Sequence, residues 1–595
     1  MPPFEIEARS LRGAGAAGDA GAGERTFVDV LVERAASEPD DIAFTFLGEG
    51  TDAAPGELRL TYRDLFEEAA GFASLLQAHG LAGERVLLVF KSNAWFAVAF
   101  FACLMAGAIA VPTAPPRREQ LAQRLRGIAA NAGARPGIAD SEEVMQAAIG
   151  LGHDDVHWFD IRQLSRDGAL RARSADWRPP VLRDDSLAFL QYTSGSTGDP
   201  KGVMVSHGNM MANSRQIARA FGHTRASRGL VSLPLYHDMG LIGGILQPVY
   251  AGFPVHVMTP AQFVQKPERW LQLISRLRIT TSGGPNFMYD LAAEAVRPEH
   301  LEGVDLSSWR VAFCGAEPVR ASTIECFTRK FAPYGLREGA FYPCYGMAEA
   351  TLFVTGNAPG TIARVDTPLS GGPQVVGCGH AHDDTRIEIV DPAIRVALPD
   401  GAQGEIWVSG ASVAQGYWRN PAATEHTFKA RLAASNEGPF LRTGDLGYRK
   451  DGQLFVTGRL KDLIILRGRN FAPHDLETEA EGSHPGLQPG GGAAFTLTEG
   501  DRERLILAFE LKREWRRRTA EWHTVEAAVR SSIARSYQLR VDDVVLLAPG
   551  ALPRTSSGKV RRAQCRSDYL AGRLTPMAAM LPRTGAAGHA ARACT

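Results

Sequence analysis

A mixed α/β chain, one large domain followed by a smaller one, is predicted by three observations. The chain has 595 residues, more than one hydrophobic core usually serves. Short apolar runs with strand character alternate with stretches of helical periodicity through most of its length. Near residue 460 the composition turns charged, in Gly458-Arg459-Leu460-Lys461-Asp462, and a second α/β pattern of about a hundred residues follows, which is domain-sized.

Taken in order, residues 1–24 are expected to form a disordered leader. Residues 11–24 are mostly Gly and Ala broken by Arg12 and Asp19, without the charged-then-apolar order of a signal peptide. The first domain is placed at 25–460. Thr61 and Asp64 have the spacing of a capping box, and Leu65, Ala69, Phe72 and Leu76 share one face of the helix that begins there. A strand is expected at 86–90. Residues 94–111 are uncharged and approach the length of a membrane span, but their small residues, Gly107 and Pro112 predict a buried core helix running into a strand. Further strands are expected at 187–192, 229–233, 311–314 and 405–408. The second domain is placed at 461–575. Residues 576–595 carry no periodic pattern and are expected to be a disordered tail.

Lys plus Arg balances Asp plus Glu at 65 each, which excludes a whole-molecule electrostatic grip on nucleic acid or an anionic membrane. Seven cysteines without a CxxC pair read as reduced packing residues, which points to the cytoplasm.

The strongest local signal is the strand at 187–192 running into Thr193-Ser194-Gly195-Ser196-Thr197-Gly198-Asp199-Pro200-Lys201-Gly202. A turn rich in glycine and hydroxyls offers backbone N–H groups and side-chain donors to phosphate oxygens, and Lys201 adds a point charge. It is suited to the β- and γ-phosphates of ATP. It is not a Walker loop, because Pro200 precedes Lys201 and Gly202 follows it.

Five more segments follow in order: Leu235-Tyr236-His237-Asp238-Met239-Gly240, Tyr345-Gly346-Met347-Ala348-Glu349, Thr443-Gly444-Asp445, Gly458-Arg459-Leu460-Lys461-Asp462, and Pro553-Arg554-Thr555-Ser556-Ser557-Gly558-Lys559. Together with the loop they resemble the adenylate-forming superfamily of acyl-CoA synthetases, luciferases and peptide-synthetase adenylation domains, over roughly 26–570. That resemblance implies a large multi-subdomain N-terminal domain and a smaller mobile α+β C-terminal domain. It implies that Tyr345 stacks on adenine beside Gly346 and Met347, that Gly315, Ala316 and Glu317 line the same pocket, and that Asp445 accepts hydrogen bonds from the ribose hydroxyls. Glu349, with Thr193, would hold Mg²⁺, a hard cation that prefers carboxylate and phosphate oxygen. Arg459 would meet ribose or phosphate, and Lys461 is the family's hinge position. Lys559 takes the central role. A carboxylate is already ionised at neutral pH, so the obstacle to its attack on the α-phosphorus is repulsion between two anions, and a cation must sit between them. Because Lys559 lies in the second domain, that domain would have to close for the first step and rotate for the next.

Within the superfamily the wording resembles the fatty acyl-AMP ligases, which pass the acyl group to the phosphopantetheine thiol of an acyl carrier protein. Four stretches carry this: His237 to Gly243, Ser282-Gly283-Gly284-Pro285-Asn286-Phe287, Tyr345 to Leu352 with Ala348 where CoA ligases usually have Thr, and Gly458 to Ile465. His237 would stand as a gate beside the reacting carboxylate. Asp238, Met239 and Gly240, with Gly283, Gly284 and Asn286, would flank an apolar acyl tunnel. The fatty acid and the carrier are the implied partners. Lys512 to Arg518, with Arg561 and Arg562, offers a basic surface for an acidic carrier. Residues 355–376, where these ligases carry an insertion thought to hinder CoA, are short. The alternatives are a long-chain fatty acyl-CoA synthetase and an inactive acyl-binding relative.

Overall fold

Two large sheets organise the first part of the chain. In one, the strands run in the order Phe341–Pro343, Val311–Cys314, Thr281–Gly284, Gly229–Val231, Val255–Val257, Ile42–Leu47, Glu57–Thr61. In the other the order is His157–Asp160, Pro136–Ala139, Arg85–Val89, Ile109–Thr113, Leu187–Ser194, Pro200–Ser206. Both are parallel apart from one antiparallel edge strand, Glu57–Thr61 in the first and Pro200–Ser206 in the second. Parallel strands require crossovers, and the helical segments between them supply these. The computed structural model describes residues 25–49, 56–116, 119–149, 156–194, 200–367, 374–466, 469–499, 502–555 and 558–577. It resolves into two units, divided between Thr457 and Gly458.

The capping box opens the helix Tyr62–Ala78, with Thr61 Oγ1 accepting the Asp64 N–H at 3.0 Å. The apolar stretch after it is a core helix, Asn93–Ala106, buried on every side, followed by the strand Ile109–Thr113. Its N-terminus is met by carboxylates. Glu49 accepts the N–H of Asn93 at 2.7 Å and Asp140 that of Lys91 at 3.0 Å, charge placed where the helix dipole favours it. No helix among the described residues is long and apolar enough to cross a membrane. A smaller four-stranded sheet, in the order Arg386–Val390, Gly404–Ser409, Leu441–Lys450, Gln453–Arg459, completes the scaffold of the site.

The second unit is α+β. The strands Leu487–Glu499 and Arg502–Leu511 pair antiparallel and Asp543–Leu547 joins parallel. The helices Pro473–Gly482, Trp522–Tyr537 and Arg562–Leu570 belong to the same unit, and Leu476, Leu507, Phe509, Val525 and Val529 share its core. Met577, expected in the tail, is instead buried against that core because its apolar side chain finds cover there. The expected leader and residues 578–595 lie outside the described residues.

Candidate active site

The edge hairpin of the six-stranded sheet sets the first group. Thr193 on one strand stands opposite Lys201 on the other, and Ser194 opposite Pro200. Gly195, Ser196, Thr197, Gly198 and Asp199 lie outside the described residues. Residues 415–418 run along the outer strand, with Met204 N–H donating to Gly416 C=O at 2.9 Å and Trp418 N–H to Gly202 C=O at 2.7 Å. That pairing brings the Tyr417 ring under Lys201, whose Nζ sits 5.1 Å from the ring centroid. The Tyr417 hydroxyl donates to Glu349 Oε1 at 2.8 Å. The expected triphosphate cation and the expected metal carboxylate are therefore joined through one side chain. Tyr417 escaped the sequence reading, since a tyrosine within Gly416-Tyr417-Trp418 reads locally as packing.

Tyr345 and Asp445, expected at adenine and ribose, meet directly. The phenol donates to Asp445 Oδ2 at 2.8 Å, and the residues are 8 % and 5 % exposed. A carboxylate has about four lone-pair positions, so capacity for further donors remains. The turn beneath Asp445 is fixed from two sides. Asp445 N–H donates to Thr443 Oγ1 at 3.0 Å, and Gly444 N–H donates to Glu405 Oε1 at 3.2 Å. Glu405 is buried and paired with Arg442, Nη2 to Oε2 at 2.8 Å, and it also accepts Trp407 Nε1–H at 2.9 Å. Gly444 takes φ +68°, which a side chain would resist. Glu405 is a support of the Asp445 turn that the motifs did not reveal.

The Glu349 loop is strained. Thr351 has φ 69° and ψ −65°, and the Leu352 N–H returns to Ala350 C=O at 2.8 Å, the rarer and costlier hand of γ-turn. Met347 N–H donates to Leu352 C=O at 2.8 Å, and the Thr351 hydroxyl donates to Ser412 C=O at 2.6 Å. Ala316, expected near adenine, also holds a positive φ of 71°. Strained backbone of this kind costs about 1–3 kcal/mol and concentrates at functional sites. Cys314 and Cys344 bracket Gly315, and burial pushes both thiols well above their ordinary range. They are packing groups, not nucleophiles.

On the acyl side, Asn286 is a clasp. Its backbone N–H and Nδ2 donate to Glu317 Oε1 at 3.1 and 3.0 Å, Nδ2 also donates to Pro318 C=O at 3.0 Å, and Oδ1 accepts Arg320 N–H at 3.1 Å. The side chain expected beside the substrate is thus consumed in tying the helix Asn286–Ala295 to the turn that carries Glu317. Gly283 and Gly240 answer to protein packing as well. A Cβ on Gly283 would lie 2.1 Å from Phe313 O, and one on Gly240 2.2 Å from Pro234 O. His237 stands at the N-terminus of the short helix Asp238–Leu241, and Met239 N–H donates to Asp238 Oδ1 at 2.8 Å. The carbonyl of neighbouring Tyr236 accepts Gln191 Nε2–H at 3.1 Å. Gln191 lies on the strand that leads to Thr193, so the His237 loop and the phosphate hairpin share a support.

In the second unit Lys559 sits on a tight hairpin, of which Ser556 and Ser557 lie outside the described residues. Arg459 ends the strand Gln453–Arg459, and Lys461, exposed, lies in the turn Leu460–Asp462. Arg513, Arg516, Arg517 and Arg518 are exposed. Arg562 does not belong to that basic surface. Its Nε and Nη2 bind both oxygens of Glu477, at 2.6 and 2.5 Å, because a buried carboxylate needs a cation.

The AMP-binding enzyme family model matches residues 31–418. A medium-chain-fatty-acid–[acyl-carrier-protein] ligase, JamA of Moorena producens, is 39 % identical over 95 % of this chain and 98 % of its own. A second ligase of that description, TtuA of Teredinibacter turnerae, is 35 % identical over 93 % and 94 %. Among solved structures, a fatty acyl-adenylate ligase from L. pneumophila in complex with acyl adenylate and pyrophosphate is 36 % identical, covers 92 % of this chain and 96 % of its own, and superposes with a TM-score of 0.71. With strand-end loops that set one tyrosine on an aspartate and a second tyrosine between a lysine and a glutamate, and with relatives matched almost end to end, the chain belongs to the AMP-binding enzyme family and is an ATP-dependent, adenylate-forming ligase of the fatty acyl-AMP kind.

Proposed function

We propose that this ligase activates a fatty acid as its acyl-adenylate and then hands the acyl group to the phosphopantetheine thiol of an acyl carrier protein. A carboxylate oxygen of the acid attacks the α-phosphorus of ATP, the bond to the bridging oxygen breaks, and pyrophosphate leaves. The carrier's thiol, having lost its proton to solvent, then attacks the acyl carbonyl, and AMP departs. The observation that carries the first step is the Tyr345–Asp445 contact, which supports adjoining adenine and ribose subsites. Lys201 and Glu349, joined through Tyr417, support a polyphosphate site. Lys559 would supply the charge between the two reacting anions.

The donor set fits Mg²⁺. One carboxylate, Glu349, with the Thr193 hydroxyl suits an ion that keeps several waters and binds mainly through substrate phosphates. Among the described residues no cluster of three or more His, Cys, Asp or Glu offers a dedicated protein cage for another metal. When bound, the ion would neutralise the departing pyrophosphate. The described cysteines are all free, which supports work in the cytoplasm.

The carrier as acceptor is supported by JamA and TtuA, both fatty-acid–[acyl-carrier-protein] ligases. A second reading, with free CoA as acceptor, follows from the sequence expectation that 355–376 is short for an insertion that hinders CoA. A product assay with ATP, Mg²⁺ and fatty acids of graded length, offering holo-carrier or CoA, decides between them. Transfer to the carrier alone is the expected result. Efficient acyl-CoA formation supports the second reading, and absence of AMP from every acid defeats both.

A further inference from the structure

The hairpin that carries Lys559 is braced by a guanidinium with no role assigned so far. Arg554 donates from Nη1 to the Gly558 carbonyl at 3.0 Å, and from Nη2 to the Gly490 carbonyl at 2.9 Å and to Glu510 Oε2 at 3.2 Å. Glu510, 3 % exposed on the strand Arg502–Leu511, uses its other oxygen to accept the Leu552 N–H at 2.8 Å. A single buried carboxylate thus grips the entry of the hairpin and also the arginine that reaches across it. The carbonyl held on the far side belongs to the residue immediately before Lys559.

The hairpin's shape is set by its own backbone. Thr555 N–H donates to the Lys559 carbonyl at 2.7 Å, Lys559 N–H donates to Thr555 Oγ1 at 3.0 Å, and Arg561 N–H donates to Pro553 C=O at 2.8 Å. Gly558 takes φ +88° to close it. None of these bonds fixes the direction in which the hairpin leaves the sheet. The Arg554 fork does, because its two anchors lie on neighbouring strands. Gly490 is within reach because the strand Leu487–Glu499 bulges there: Leu487 pairs with Leu511, and the next pair is Gly492 with Phe509.

We propose that Arg554, pinned by Glu510, is the positioning residue that aims Lys559 at the α-phosphate, an inference that rests on Lys559 acting in adenylate formation. A lysine charge on a four-carbon stem is placed only as well as its base is, and a misplacement of about 1 Å can cost about 100-fold in rate. A lysine at this position would keep a cation beside Glu510 but lose the planar fork that reaches three acceptors.

The test uses the full-length protein as wild type, Arg554→Lys, Glu510→Gln, Lys559→Ala and the Arg554→Lys/Lys559→Ala double variant. Three quantities are measured: pyrophosphate release with ATP and fatty acid, KM for ATP, and acyl transfer to holo-carrier from synthetic acyl-adenylate. Arg554→Lys is expected to lower kcat for adenylation about 10-fold, with KM for ATP and the transfer step unchanged. Glu510→Gln, which still offers an acceptor to Leu552, lowers the same step to a smaller extent. Adding Arg554→Lys to Lys559→Ala brings no further loss. Wild-type adenylation in both single variants, an equal loss in both half-reactions, or a further loss in the double variant overturns the aiming role. If Lys559→Ala itself adenylates at the wild-type rate, the reading of Lys559 falls and takes the aiming role with it. A dead Lys559→Ala enzyme beside an intact Arg554→Lys enzyme overturns the aiming role alone.

Discussion

The two units of this ligase support chemistry in opposite ways. In the first, the groups gathered at the expected nucleotide site come from several parts of the chain: Lys201 from a sheet edge, Tyr345 and Glu349 from a strained loop, Asp445 from a turn held by Glu405, and Tyr417, which no motif names, from a segment laid along that edge. In the second, one lysine rides on a short hairpin whose braces, Arg554 and Glu510, lie within about fifty residues of it in the chain. Binding energy can be shared among many contacts, so losing any one weakens the site by degrees. In the role proposed for Lys559, a charge needed at one atom in the transition state has no substitute, and Arg554 and Glu510 would concentrate support there.

That contrast predicts a ranking of effects. Lys559→Ala should break it most sharply, cutting adenylate formation about 100- to 1000-fold while ATP binding, followed by calorimetry, stays within about twofold. A matching loss of ATP affinity would erase the distinction between the units. Asp445→Ala should weaken ATP binding about 10- to 100-fold, the range for hydrogen bonds to a charged group, with a smaller change in kcat. Arg562→Met should destabilise the second unit by roughly 2 kcal/mol in denaturant melts; a quarter of that side chain is exposed, which keeps the cost below that of a fully buried pair. Tyr417→Phe should raise the Mg²⁺ needed for half-maximal rate about 10-fold, since the Glu349 carboxylate loses a donor that orients it. An unchanged Mg²⁺ requirement would separate Tyr417 from the metal and leave it a packing residue.

The smallest effect concerns pH. Burial, reinforced by the charge of Glu477, pushes the Asp475 carboxyl up to about 7. Between the ordinary carboxylate range and that value the folded unit holds a proton that the unfolded chain has released. Unfolding then liberates a proton, and stability falls as pH rises through this window. Thermal melts of the protein between about pH 4 and pH 7 should show that decline, and Asp475→Asn should flatten it.

Much of this was legible from the sequence. The capping box at Thr61 and Asp64, the buried helix after Ser92, and the strands leading to Thr193 and Cys314 follow from local periodicity and capping, which act over a few residues. The motifs named Tyr345 and Asp445 but could not say that they touch, because the contact spans a hundred positions and is made by strand order. Tyr417 was missed for the same reason. Asn286 was expected to face substrate, but what it bonds depends on where Glu317 arrives from another strand end. Arg562 looked like surface charge in a basic run, and only the fold shows the buried glutamate that captures it, 85 residues earlier. Side-chain partners set by tertiary packing carry no local signature.

The bracing of Lys559 has a consequence for modularity. Glu510, Gly490, Arg554 and Gly558 all lie within the same unit as the lysine they serve, so the device is self-contained. A graft of residues 458–577 onto a related first unit would carry its own alignment for the charge proposed to act in catalysis. Exchange of such segments during evolution could then diversify acyl and acceptor choice without retuning the step that makes the adenylate.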